Sequence, residues 1–282
     1  MEIIVQAKEM QQRSEANRRQ EMVICFVPTM GYLHEGHLSL MREAKKQGDV
    51  LVISIFVNPT QFGPGEDYER YPRAMERDLA LVQDCGVDIC FNPSAPEMYP
   101  DGFQTSVEVH DVTKSLCGAS RPDHFRGVTT VVAKLFNIVK PHLAFFGKKD
   151  YQQVIAIKRM AEDLNMDIEV IGLPTVREVD GLAMSSRNTY LTPLQRTQAQ
   201  ALYRSLVRGK ELFAQGERNA ATIVHAVRSV IEQETAAEID YVKICDAHTV
   251  QDIATVTGAA VIAVAAKIGT TRLIDNIILK EE

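Results

Sequence analysis

The 282-residue chain has 45% hydrophobic and 24% charged residues, which is enough for two domains with cores of their own. Its formal net charge of −6 disfavours a surface built to hold nucleic acid, because neutralising phosphates requires a basic footprint. The longest apolar stretch, 259–266, is far shorter than the roughly 18 residues that read as a membrane span. We therefore expect neither a nucleic-acid partner nor a membrane segment.

The five cysteines form neither a C-x-x-C pair nor an even disulfide framework. The chain also starts without a cationic and apolar leader. No group of His, Cys and Asp has the spacing of a structural metal site. These features predict a cytoplasmic protein with free thiols.

The first two thirds of the chain alternate apolar runs of strand length with helical patterns. Such alternation predicts an α/β fold with a Rossmann-like, doubly wound parallel sheet. Ligands of these sheets bind beyond the carboxyl ends of the strands, where the strand order reverses. The predicted strands are 22–28, 50–57, 87–91, 142–146 and 168–173.

The last third has a different pattern. Two stretches with helical spacing, 193–215 and 219–234, precede three apolar runs separated by short connections. Short connections favour a small, mostly antiparallel sheet. The predicted division is therefore into domains 1–179 and 180–282, the second being a smaller α+β domain. Its predicted strands are 239–245, 259–266 and 273–279.

The first predicted strand leads into a glycine-containing turn with two histidines, His34 and His37. Apolar residues recur at helical spacing after it, so a helix should open near Glu35 to His37. A strand, a glycine turn and a helix in this order aim free backbone N–H groups and the positive helix end at an anion. This stretch predicts a phosphate-binding site.

Polar residues follow other predicted strands too. Asn58 and Gln61 both donate and accept hydrogen bonds, and Pro59, Gly63 and Pro64 are expected to keep their segment out of a helix. They are suited to a polar organic substrate. Gly147 introduces a turn with two cations, Lys148 and Lys149, at another predicted helix start.

The motifs resemble a known family. The segment 34–37 fits the His-x-Gly-His signature of nucleotidylyltransferases and class I aminoacyl-tRNA synthetases, and 184–188 resembles their catalytic-loop motif. Five motifs in register resemble the pantothenate synthetase (pantoate–β-alanine ligase) family over nearly the whole chain. They are Pro-Thr-Met-Gly (28–31), Phe-Val-Asn-Pro-Thr-Gln-Phe (56–62), Arg-Pro-Asp-His-Phe-Arg-Gly-Val (121–128), Phe-Gly-Lys-Lys-Asp-Tyr-Gln-Gln (146–153) and Asp-Gly-Leu-Ala-Met-Ser-Ser-Arg-Asn (180–188).

The resemblance implies an ATP-dependent ligase that condenses (R)-pantoate with β-alanine through a pantoyl-adenylate, giving pantothenate, AMP and pyrophosphate. It also implies Mg²⁺ as a cofactor and a homodimer. Domain 1–179 would bind ATP and pantoate, and domain 180–282 would act as a lid.

Three alternatives are less consistent with the chain. Another adenylyl-transferring enzyme of the superfamily has no reason to keep 58–62 and Gln153. A tRNA synthetase needs an anticodon-binding region and a more basic surface. A nucleotide-binding protein without catalysis predicts a broken histidine pair or a missing Arg187, and both features are intact.

The resemblance also implies roles for individual residues. Catalysis is assigned to His34, His37, Lys149 and Arg187, with His37 donating a proton or hydrogen bond to the departing phosphate oxygen. Pantoate is assigned to Gln61 and Gln153, with Asn58, Arg121 and His124 as further substrate-binding residues. The nucleotide-binding set is Met30, Gly31, Gly36, His37, Gly147, Lys149, Asp150, Val176, Met184, Ser185, Ser186 and Arg187.

Two positions receive no role. Lys148 departs from the family pattern, which usually has an acid there. Asp78 is a possible outer-shell group for Mg²⁺, but an acid in a helix is ordinarily solvated, so no protein ligand for the metal is assigned.

Overall fold

A computed structural model describes residues 1–234 and 236–281. The chain divides into two compact units, and the longest stretch of the second begins at Thr175. The division of function between 1–179 and 180–282 stays a prediction. The first unit comprises Met1–His110, Arg121–Lys148 and Ala156–Pro174, and the second comprises Asp111–Ser120, Lys149–Ile155 and the residues from Thr175 onward.

Nine strands form in the described residues, six in the first unit and three in the second. They are β1 (Glu2–Ile4), β2 (Ile24–Thr29), β3 (Val50–Ile55), β4 (Ile89–Phe91), β5 (Leu143–Gly147), β6 (Glu169–Leu173), β7 (Glu238–Asp246), β8 (Ala260–Ile268) and β9 (Thr271–Leu279).

The α-helices of the described residues are α1 (Ala7–Arg19), α2 (Glu35–Gln47), α3 (Met75–Asp84), α4 (Ala95–Met98), α5 (Cys117–Ser120), α6 (His124–Val139), α7 (Tyr151–Asp163), α8 (Pro193–Ala214) and α9 (Ala220–Glu234). Short 3-10 helices cover Pro59–Gln61, Asp111–Thr113, Lys148–Asp150 and Ser186–Tyr190. The expectation that the segment after Asn58 holds no helix is wrong for Pro59–Gln61, because proline is tolerated in the first turn of a helix.

The sheet of the first unit is parallel throughout, with strand order β1-β4-β3-β2-β5-β6. The predicted doubly wound α/β fold is therefore confirmed. All five predicted strands are present, but β1 was not predicted, because three residues are too short a run to show a pattern.

Burial on both faces explains the continuous apolar runs of the central strands. Every residue of β3 is buried. In β2, Cys25 and Val27 pack in one cluster with Met41 and Ala44 of α2. Their neighbour Phe26 points to the opposite face, as alternation in a strand requires, and is also fully buried.

The strand order places the reversal point between β2 and β5. The chain runs from β2 through β3 to β4 on one side, and from β5 to β6 on the other. Thr29 is paired with Ile55 at the carboxyl ends of β2 and β3, so the turns after these two strands begin level with each other. The histidine turn therefore lies at the edge of the sheet where this class of fold binds ligands.

The second unit contains an antiparallel sheet of order β7-β8-β9, which confirms the prediction for the last third of the chain. Helices α8 and α9 pack against this sheet and bury a separate apolar core. That core includes Leu202, Leu206, Ile223, Val227, Ile262 and Val264.

All five cysteines have free thiols. Within the described part of the chain, no helix combines the length and apolar character needed to cross a membrane.

Candidate active site

The turn after β2 has two consecutive residues in the left-handed region of backbone space. Gly31 has φ of +81° and Tyr32 has φ of +47°. Glycine adopts this region freely, whereas a residue with a side chain is strained by about 1–2 kcal/mol. A Cβ at position 31 would also lie 3.0 Å from Ile55 Cγ2. Position 31 thus requires glycine, and other contacts must offset the strain at Tyr32.

Those contacts come from α3. The Asp78 side chain, 1% exposed, accepts hydrogen bonds from the backbone N–H of Tyr32 (2.6 Å) and of Leu33 (2.8 Å). Arg77 donates to the Leu33 carbonyl at 2.8 Å and lies over the Tyr32 ring, 5.1 Å from its centroid. Hydrogen bonds to a carboxylate are about twice as strong as neutral ones. Asp78 is therefore not solvated, and both of its oxygens serve the turn.

The backbone N–H groups of this turn are already engaged by the protein. Besides the two held by Asp78, the N–H of Gly31 donates to Thr29 Oγ1 at 3.2 Å, and those of His34 and Gly36 donate to imidazole nitrogens. The expectation that free N–H groups of the turn would receive a phosphate is wrong for these five.

The two histidines form a reciprocal cap at the start of α2. His34 is the N-cap residue, and its Nδ1 accepts from the N–H of Gly36 at 3.2 Å. Nδ1 of His37 accepts from the N–H of His34 at 3.3 Å, and the ring centroids are 4.1 Å apart. A nitrogen that accepts carries no hydrogen, so each neutral ring has its hydrogen on Nε2. Both imidazoles are therefore set as Nε2–H donors.

Asn58, after β3, is an internal anchor. The residue is 1% exposed. Its Oδ1 accepts from the Tyr99 hydroxyl at 2.7 Å, and its Nδ2 donates to the Gly127 carbonyl at 3.2 Å and to Gln61 Oε1 at 3.1 Å. The hydrogen-bonding groups of this amide are used within the protein. In the structure, Asn58 orients the side chain of Gln61.

Gln61 is half-buried and lies beside the histidine turn. Its Nε2 is 3.2 Å from Sδ of Met30, which follows β2 directly. The α6 helix comes very close from the other side, because a Cβ at Gly127 would lie 2.2 Å from the Thr60 carbonyl oxygen and 2.7 Å from Gln61 Cα. Two neighbouring strands thus bring Met30 and Gln61 together.

Arg121 and His124 hold the backbone of Gln61. Arg121 donates to both carboxylate oxygens of Glu66 at 2.6 Å and to His124 Nε2 at 3.0 Å. His124 Nδ1 is 2.9 Å from the Gln61 carbonyl oxygen. Because Arg121 can only donate and a carbonyl can only accept, His124 is neutral with its hydrogen on Nδ1. The predicted substrate-binding role of Arg121 and His124 stays a prediction.

Glu66 completes this group. Burial opposes its ionisation, but the hydrogen bond and positive charge of Arg121 outweigh that effect and lower the pKa of Glu66 to about 2. The pair is ionised at neutral pH and fixes the loop that carries Gln61.

The remaining predicted residues belong to the second unit, apart from Gly147, which ends β5. Lys149 has a 20% exposed side chain, with Nζ 3.8 Å from Oδ2 of Asp150. Gln152 is committed to internal contacts, since it donates to the Ser115 carbonyl at 2.7 Å and accepts from the N–H of Cys117 at 3.0 Å. Gln153, half-buried on α7, is therefore the ligand candidate of the Gln-Gln pair.

The segment 176–184 is a small hairpin. Arg177 and Ala183 form an antiparallel bridge, and the N–H of Met184 donates to the Val176 carbonyl at 3.0 Å. The hairpin thus brings together Val176 and Met184, two of the predicted nucleotide contacts.

The hairpin continues into the 3-10 helix Ser186–Tyr190. Ser185 is its N-cap, with Oγ accepting from the N–H of Arg187 at 3.3 Å. Asn188 ties this helix back to the hairpin by donating to the Ala183 carbonyl at 3.1 Å. Arg187 is half-buried, and Ser186 is buried. The serines of this motif shape the loop that presents Arg187.

Among residues 1–234 and 236–281, no group of three or more His, Cys, Asp or Glu side chains could hold a metal ion.

A family model described as pantoate-beta-alanine ligase matches residues 2–278. The chain belongs to this ligase family. A relative from Syntrophus aciditrophicus, named pantothenate synthetase, is 56% identical over 282 residues, covering 100% of this chain and 99% of the relative.

Solved structures of the ligase family have a similar fold. A crystal structure of pantothenate synthetase from Thermus thermophilus is 45% identical, with a TM-score of 0.93 over 98% of this chain and 99% of that one. A pantoate-beta-alanine ligase from Francisella tularensis, complexed with beta-gamma ATP and beta-alanine, is 36% identical, with a TM-score of 0.82 over 99% of this chain and 97% of that one.

In this ligase, sequence patterns missed Asp78 and Glu66. Each acts on a group that is distant in sequence. Asp78 holds the backbone of Leu33 and Tyr32, which lie 45 and 46 positions earlier, and Glu66 holds the Arg121 side chain. No local spacing marks such partners. The signal available for Asp78 was an acidic residue in a predicted helical stretch, and this signal points to no particular partner.

Proposed function

We propose that the chain condenses pantoate with β-alanine at the expense of ATP, through a pantoyl-adenylate, and releases AMP and pyrophosphate. Membership of the pantoate-beta-alanine ligase family over residues 2–278 is the observation that carries this proposal. The site geometry supports it with two Nε2–H donors beside the strand-order reversal and a Gln61 amide that contacts Met30 at the start of the same turn.

The first step has an electrostatic obstacle. An oxygen of the pantoate carboxylate attacks the α-phosphorus of ATP, and pyrophosphate leaves. Two unit charges 4 Å apart repel by about 4 kcal/mol at an effective dielectric constant of about 20. Cationic groups must therefore offset the approach of an anion to a triphosphate, and no general base is needed because the carboxylate is already ionised.

The proposed roles follow from the hydrogen positions and charges. His34 and His37 donate hydrogen bonds from Nε2 to the phosphates that become pyrophosphate, where negative charge develops. They do so as neutral donors, because each Nδ1 is occupied by a backbone N–H. Lys149 and Arg187 supply positive charge to the same phosphates.

The acid is selected by amide groups. Gln61 and Gln153 both donate and accept, which suits a substrate with hydroxyl groups and a carboxylate. Asn58, Arg121 and His124 hold Gln61 in place in this proposal. In the second step the amine of β-alanine attacks the acyl carbon of the adenylate, the amide bond forms, and AMP leaves with the bridging oxygen.

The described side chains offer no dedicated metal cage. Mg²⁺ typically keeps several waters and binds substrate phosphates together with one or two carboxylates. In this proposal Asp150, beside Lys149, would contact the ion, and the ion would neutralise part of the triphosphate charge when bound.

The family resemblance also leads us to propose a cytoplasmic homodimer. Light scattering on the purified protein should give about twice the chain mass of 31.5 kDa. A mass equal to one chain at the concentrations used for activity would contradict the dimer.

Isotope exchange tests the function. With β-alanine omitted, labelled pyrophosphate should enter ATP only when pantoate is present. Absence of exchange in folded protein supplied with Mg²⁺ would overturn the adenylate mechanism. Gln61→Ala and Gln153→Ala should each raise the KM for pantoate more than that for ATP. The opposite pattern would reassign these residues.

A further inference from the structure

The second unit contains a buried ion pair that the proposed chemistry does not use. Asp275, on β9, is 3% exposed. Its two carboxylate oxygens accept from the two terminal nitrogens of Arg177 at 2.6 and 3.0 Å. Arg177 belongs to the hairpin that joins Val176 to Met184.

Arg177 ties together the parts of that hairpin. It donates to the carbonyl of Gly181 at 3.1 Å and to the carbonyl of Asn276 at 3.4 Å. Its guanidinium also lies over the Tyr203 ring, 4.0 Å from the centroid. The hairpin is thus fixed to β9 and to α8 through one side chain.

The residue after Asp275 makes a second connection. Asn276 is 6% exposed, and its Nδ2 donates to the backbone carbonyl of Lys149 at 2.8 Å. The N–H of Asn276 also donates to the Asp275 carboxylate at 2.8 Å. Two consecutive residues of one strand therefore hold two segments to which nucleotide contacts are assigned.

Stability alone is a weak reason to keep this arrangement. Burying two charges is costly, and apolar replacements of buried ion pairs are often neutral or stabilising. Burial raises the pKa of Asp275 despite its pairing with Arg177. A buried pair is better suited to fixing geometry, because bidentate Arg–carboxylate contacts constrain both distance and orientation.

We propose that Asp275 and Asn276 are positioning residues for adenylate formation. Asp275 acts through Arg177 on the hairpin that carries Val176 and Met184 and continues to Arg187. Asn276 acts on the main chain of Lys149. The register of β9 thereby fixes the positions of both segments. What these segments bind is taken from the proposed function, on which this inference rests.

The test uses Asn276→Ala and Asp275→Asn in the full-length protein. Positioning predicts that kcat for pantoate-dependent ATP–pyrophosphate exchange falls by about 10- to 100-fold at a temperature where each variant is folded, since a shift of about 1 Å can have that effect. Asp275→Asn leaves Arg177 without its carboxylate, so Asn276→Ala decides the matter if Asp275→Asn does not fold.

Asp240→Asn is the matched control. Asp240 accepts from two nitrogens of Arg272, which is also on β9, at 3.0 and 2.6 Å, and its partners include neither Lys149 nor the hairpin. This variant should lose stability but keep kcat within about twofold. A loss of stability in all three variants with kcat unchanged would overturn the proposal.

Hydrogen–deuterium exchange separates this proposal from the proposed function. Asp275→Asn should increase amide exchange in 176–187, and Asn276→Ala should increase it in 148–151, each by about tenfold, whereas Asp240→Asn should change neither segment. If the wild type shows no pyrophosphate exchange, the proposed function fails. Unchanged protection in both segments would then overturn the positioning proposal independently.

Discussion

Replacing Asp78 with asparagine removes one acceptor without changing the size of the side chain. Asp78 accepts from the N–H groups of Tyr32 and Leu33 at 2.6 and 2.8 Å. The asparagine amide keeps one acceptor oxygen and presents an NH₂ group to the other N–H. One hydrogen bond to a charged group is therefore lost, and a buried donor is left facing another donor.

The cost follows from burial. A hydrogen bond to a charged group contributes about 1.5–3 kcal/mol, and an unsatisfied buried donor costs about 1–3 kcal/mol. Because Asp78 is 1% exposed, water cannot replace the lost acceptor. We expect Asp78→Asn to lower the free energy of unfolding by about 3–4 kcal/mol. That loss exceeds the roughly 1–2 kcal/mol of strain held at Tyr32, so the turn should relax.

Activity should fall further than stability explains. The turn leads directly to His34 and His37, and we expect about a 10- to 100-fold loss of kcat in pyrophosphate exchange under conditions where the variant is folded. Asp88→Asn is the control, because Asp88 accepts from the N–H of Leu51 at 2.8 Å at the opposite end of β3. The Asp88→Asn variant should be less stable than the wild type but should keep its exchange activity. Full activity in Asp78→Asn would refute the reasoning.

Three further predictions concern the same unit. Gly127→Ala should raise the KM for pantoate more than that for ATP, because its Cβ would lie 2.7 Å from Gln61 Cα; equal kinetics in steady-state assays would contradict the close approach. The pKa of Glu66 is lowered from 4.5 to about 2, so its pairing with Arg121 stabilises the fold above about pH 4.5 and is lost as pH falls towards 2. Between neutral pH and about pH 3, the free energy of unfolding measured with urea should therefore fall by about 2 kcal/mol more for the wild type than for Glu66→Gln. An equal fall in both proteins would count against the pair. If His37 acts as a neutral Nε2–H donor, His37→Gln, whose amide reaches the Nε2 position, should retain more exchange activity than His37→Asn; equal loss would favour a proton-transfer role.

Patterns in the sequence were sufficient for features that depend on local periodicity. The start of α2 at Glu35, the five predicted strands of the parallel sheet and the antiparallel sheet of the last third all follow from such runs. The histidine turn was correctly placed after a strand, at the edge where parallel sheets bind ligands.

Features that depend on partners distant in sequence could not be predicted from local periodicity. The N–H groups after β2 were expected to be free, but those of Gly31, His34 and Gly36 donate to side chains nearby in sequence, and those of Tyr32 and Leu33 donate to a distant one. Asp78 reaches Tyr32 and Leu33 only once α3 has packed, and Asn276 reaches Lys149 from a distant part of the chain. Tertiary packing therefore decides which of the polar groups remain for substrates.

The transfer of oxygen from substrate to product tests the central claim most directly. Pantoate labelled with ¹⁸O in its carboxylate is incubated with ATP, β-alanine and the protein, and the AMP is analysed by mass spectrometry. A pantoyl-adenylate predicts one ¹⁸O atom in the phosphate of each AMP, because the bridging oxygen stays with phosphorus when the amine attacks the acyl carbon. AMP without label, or formation of labelled inorganic phosphate with ADP, would contradict the account.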